Sequence, residues 1–66
     1  MDKNMLEALA WVDTLAKKRR LTNRQHEDAT VSVCRHYSMF DNGEVLPKRI
    51  ARLAVRSAIN RTRPTV

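Results

Sequence analysis

Residues 17–25 read Lys17-Lys18-Arg19-Arg20-Leu21-Thr22-Asn23-Arg24-Gln25, and this stretch divides the chain. Its basic half suits the C-terminal end of a helix, where unpaired carbonyls leave partial negative charge. Its second half carries a start signal. Thr22 and Gln25 have the spacing of a capping box, and Leu21 stands where a hydrophobic staple would. One helix therefore ends and another begins within a few residues.

Upstream, Met5, Ala8, Leu9, Val12, Leu15 and Ala16 recur at i, i+3, i+4 and i+7, a stripe roughly 120° wide on a helical wheel. With Asp2 at the start and the Lys17–Arg20 block at the end, the spacing predicts a helix over 3–20. Downstream, Ala29, Val33, Tyr37 and Phe40 line one face of a second helix over 23–40, with His26, Thr30 and Cys34 beside them and Val31 off the stripe. Asp41-Asn42-Gly43 is a stop signal, because glycine tolerates the left-handed backbone that closes a helix. After the short apolar link Val45-Leu46, Pro47 suits the first turn of a third helix over 48–61. Its main apolar face is Ile50, Leu53, Ala54 and Ala58. Residues 62–66 are expected to fray. The reading is an all-α, compact three-helix domain spanning 1–66 as one unit.

With 66 residues the chain has room for one domain. A fold this small buries only roughly 60% of the surface its unfolded form exposes, so its stability is marginal. The single cysteine excludes an internal disulfide, and no Cys/His series has zinc-site spacing. Packing or self-association must supply the stability. A 42% hydrophobic content is more than a disordered basic tail carries.

The net charge of +6 is unevenly distributed. Residues 1–16 hold Lys3 against Asp2, Glu7 and Asp13. Residues 21–44 hold Arg24 and Arg35 against four acids, and residues 45–66 hold six cations and no acid. The positive charge thus falls in two blocks, Lys17, Lys18, Arg19 and Arg20, and then Lys48 onward. Arg49, Arg52 and Arg56, continued by Arg63 with Asn60 between, form a ridge on one side of the third helix. Arginine's planar fork binds phosphate or a guanine edge with two hydrogen bonds. Such a ridge, supported by Lys48 and the 17–20 block, points to nucleic acid bound through counterion release. The favoured expectation is a non-catalytic DNA-binding protein acting in transcription regulation or DNA handling. RNA is less favoured, because Trp11, Tyr37 and Phe40 offer no stacking platform. A strict helix-turn-helix fits poorly, since the 39–47 connection exceeds that motif's turn.

A competing expectation follows from the apolar residues. Val55 and Ile59 lie away from the main face of the third helix, and Trp11 lies at the edge of the first helix's stripe. Together they suggest a protein interface, either in a homodimer or as a patch that docks on another protein. The competing class is a small modulator or inhibitor whose basic surface docks on an acidic partner protein. A membrane-surface role is disfavoured, because the third helix has no aromatic anchor.

Catalysis is not expected. Cys34 and His36 face apart on a helix, and His26 and Cys34 lie two turns apart, too far for one metal ion. His26 is expected to pack beside Tyr37. Glu27 and Asp28 look like helix-start carboxylates, and Gly43, the only glycine, cannot make a phosphate-cradling loop. Neither metal nor cofactor is implied. The opening residues lack a basic start followed by an apolar run, so a cytoplasmic protein is expected.

Overall fold

The Thr22 hydroxyl accepts a hydrogen bond from the Gln25 amide at 3.1 Å, and the Gln25 side chain accepts one from the Thr22 amide at 3.0 Å. This reciprocal box starts the second of three helices in a computed structural model that describes residues 2–40 and 45–62. The helices are α1 (Lys3–Arg19), α2 (Asn23–Met39) and α3 (Pro47–Thr62). The Asp2 carboxylate caps α1 by accepting from the Asn4 amide at 2.9 Å. The Leu46 carbonyl accepts from the amides of Arg49 and Ile50 in the first turn of α3. The Asp41–Gly43 stop signal, and the part of the predicted frayed tail beyond Thr62, lie outside the described residues.

Arg20, expected as the last residue of the first helix, is instead its C-cap in the left-handed conformation, with φ 53° and ψ 52°. The Leu21 amide reaches back to the Ala16 carbonyl at 2.9 Å and closes the end. A residue with a Cβ pays roughly 1–2 kcal/mol there, a cost that glycine escapes. Arg20→Gly should therefore raise stability by about 1 kcal/mol, seen as a higher midpoint in urea unfolding.

The core consists of Ala8 and Val12 from α1, Ala29, Val33 and Tyr37 from α2, and Ile50, Ala51, Ala54, Val55 and Ala58 from α3. Half of these residues are alanine, so the helices approach closely. α3 supplies half of the core because it packs against α1 and α2 to the same extent. That double partnership corrects the predicted face. The buried arc of α3 is centred between Ile50 and Val55, leaving Leu53 outside it and 53% exposed.

Of the residues expected at a protein interface, Val55 is 1% exposed and belongs to the core. Ile59 and Trp11 are partly buried and pack against that core. The Lys48 ammonium sits 4.7 Å from the centre of the Trp11 ring, a cation–π contact. Most of the apolar surface that suggested a second copy is therefore used within one chain. Phe40, expected on the buried face of α2, is exposed at its C-cap.

Polar contacts fix the helix order. Gln25 donates to the Thr62 hydroxyl at 3.1 Å, which brings the start of α2 against the end of α3. Arg61 pairs with Asp28 at 2.9 Å and donates to the Ser32 hydroxyl at 2.9 Å. Asp28 is thus a partner for α3 and lies beyond the first turn of its own helix. His26 contacts Asp13 of α1 at 2.7 Å instead of packing beside Tyr37. It is His36 whose ring meets Tyr37 edge-on, with centroids 5.5 Å apart.

The Tyr37 hydroxyl is buried with no hydrogen-bond partner among the described residues. Burial pushes its pKa up from the ordinary 10.0, aided by the carboxylates of Asp2 and Glu7. An unpaired buried hydroxyl costs about 1–3 kcal/mol, so Tyr37→Phe should leave stability unchanged or raise it by about 1 kcal/mol. Above pH 10 the unfolded chain loses the tyrosine proton before the folded one does, so stability declines as pH rises. Thermal melts at pH 8 and pH 11 should show a smaller alkaline loss in the phenylalanine variant.

Candidate nucleic-acid interface

The exposed residues of α3 are Lys48, Arg49, Arg52, Leu53, Arg56, Asn60 and Arg61. The 3.6-residue repeat gathers Arg49, Arg52 and Arg56 on the side opposite the core. Arg61 lies nearer α2, where Asp28 and Ser32 hold it.

Packing α1 beside α3 adds a residue from the other basic block. Arg19 lines one open groove of about 510 Å³ together with Leu46, Lys48, Arg49, Arg52, Leu53 and Arg56. Five of these seven are cations and none is acidic. Neither the His26–Asp13 contact nor the Arg61–Asp28 ion pair engages any of the five. Lys48 and Arg49 also lie in the first turn of α3, which has no acidic residue. There they oppose the helix dipole's preference and add to its positive potential.

The structure divides the 17–20 block. Arg19 faces the α3 groove, whereas Lys17 and Arg20 line a separate depression with Asp13, Leu21 and His26. Lys18 is exposed near the end of α1 and lines neither. Arg63 lies outside the described residues. Of the nine cations predicted from sequence, five therefore meet in one groove.

Two groove residues were not predicted as part of the site, Leu46 at 73% exposure and Leu53. Leu53 also borders a second groove between α2 and α3, with Ser32, His36, Val45, Ile50 and Ala54. Periodicity alone assigns an isolated leucine to the apolar face. The signal that separates it is the continuous buried set Ile50, Ala51, Ala54, Val55 and Ala58, which fills the inner arc without it.

A groove with five converging cations and no lining acid attracts a polyanion or a strongly acidic surface. Its guanidinium groups can engage phosphate or carboxylate oxygens in pairs. No helix among the described residues is long and apolar enough to cross a membrane. Compared with protein-family models, with curated proteins and with solved structures, the chain matches none.

Proposed function

We propose that the protein is a non-catalytic nucleic-acid-binding protein that holds DNA in the groove formed by α3 and the end of α1, in transcription regulation or DNA handling. The observation that carries this reading is the meeting of Arg19 with Lys48, Arg49, Arg52 and Arg56 around one groove. A phosphate backbone presents a regular row of negative charge, and each neutralised phosphate releases counterions into solution. All five cations belong to one chain, so a single copy carries the groove.

The test is fluorescence anisotropy of labelled mixed-sequence duplex DNA titrated with the protein at several salt concentrations. Binding at low salt should fall steeply as salt is added, with a log–log slope approaching about −4.5 if all five cations neutralise phosphates. Absence of binding at low salt overturns the reading.

A second reading has its own observation. Leu46 and Leu53 are exposed among the cations, so the groove also suits an amphipathic acidic segment of a partner protein. A protein ligand of that kind would make the chain a modulator or inhibitor. It would bind with a weaker salt dependence than DNA, because a folded partner lacks the condensed counterions of the duplex.

A further inference from the structure

An isolated exposed leucine is ordinary on a protein surface. Leu53 is distinguished by its neighbours. It stands on the outer face of α3 among arginines, with a complete buried arc behind it. It adds nothing to phosphate binding. Asn60, also exposed and uncharged, extends the same face toward the C-terminal end.

Arg49, Leu53, Arg56 and Asn60 follow the spacing i, i+4, i+7 and i+11, which gathers them within about 60° of one another on a helix. Their span is about 16 Å at 1.5 Å per residue, the length of about five base-pair steps. A helix about 10–12 Å across fits the major groove of B-form DNA, about 12 Å wide. Each base pair presents its own pattern there. Arginine matches the two acceptors of guanine, asparagine matches the acceptor and donor of adenine, and an aliphatic side chain packs on the thymine methyl. Arg52, Lys48 and Arg19 flank the row toward α1, where they meet a phosphate backbone. On the other flank Arg61 is tied to Asp28, so the basic flank is one-sided and fixes the orientation.

We infer that α3 is a sequence-reading helix for duplex DNA. Arg49, Leu53, Arg56 and Asn60 contact base edges in the major groove, while Arg19, Lys48 and Arg52 hold one phosphate strand. This rests on the nucleic-acid reading and deepens it by separating residues that specify from residues that attach. The deep, narrow major groove of A-form RNA excludes such a helix, so the ligand is duplex DNA.

The experiment selects bound duplexes from a randomised DNA pool with the full-length wild-type chain, then repeats the selection with Leu53→Ala and Asn60→Ala. Both substitutions introduce a strong helix former at an exposed position, and circular dichroism checks that each variant remains folded. The wild type should enrich a short motif of about five base pairs. Each variant should lose preference at a different motif position, on the order of tenfold, while the salt slope keeps its wild-type value because neither side chain carries a charge. Random-duplex binding without an enriched motif overturns the inference and leaves the nucleic-acid reading standing. So does a motif identical in all three proteins, or tighter binding to single-stranded DNA or to RNA. Failure to bind any nucleic acid at low salt overturns both.

Discussion

Replacing Arg19 and Arg52 together by alanine should weaken binding to random duplex DNA on the order of 50-fold at 0.1 M salt and flatten the salt slope by about two units. Both figures follow from counterion release, in which each lost phosphate contact removes about 0.9 from the slope. The pair comes from different helices and is brought to one groove only by the packing of α1 beside α3. Lys17→Ala with Arg20→Ala is the matched comparison. It removes the same two charges, both near the end of α1 that carries Arg19, but from residues that line a different depression. If net charge alone drives binding, the two double variants will behave alike. If the groove does, the second should cost only a few-fold. Anisotropy titrations at four salt concentrations decide between them.

Val55→Asp should unfold the protein. Val55 is among the largest fully buried side chains of the ten-residue core. The substitution removes a buried valine worth about 1.5–3 kcal/mol and brings in a carboxylate whose desolvation costs several more. A domain of 66 residues has a total stability of roughly 3–10 kcal/mol, so little helical structure should survive at 25 °C. Leu53→Asp, two positions away and exposed, should keep the circular dichroism spectrum of the wild type. A folded Val55→Asp protein that merely loses self-association would return Val55 to a surface interface and contradict the core described above.

Much of the architecture was legible because it is local. The Thr22–Gln25 box, the stripe through Ala8 and Val12, and Pro47 at a helix start each depend on residues within two turns. Leu53 and Val55 exchanged roles because wheel geometry reports a preferred face but not how many neighbours will cover it. Two flanking helices widened the arc of α3 and shifted its centre toward Val55. Arg20 was harder still. Nothing in a run of four basic residues marks which one turns left-handed, and only the direction of the returning helix decides it. The site followed the same rule. Arg49, Arg52 and Arg56 could be grouped from spacing on one helix. The choice of Arg19, rather than Lys17 or Arg20, as their companion required knowing how α1 lies against α3.

The alanine-rich interior has a consequence for any work on this protein in solution. Alanine gives each buried position little apolar area, so the attractive side of the folding balance is small, while six net positive charges repel one another on a narrow body. Added salt screens that repulsion and strengthens the fold. If the groove holds DNA as proposed, the same salt competes with it for the arginines. Folding and the proposed binding would then respond to ionic strength in opposite directions, the fold being weakest where the grip on a polyanion is tightest. Bound DNA would itself supply the missing counter-charge, so that ligand and fold would support each other at low salt.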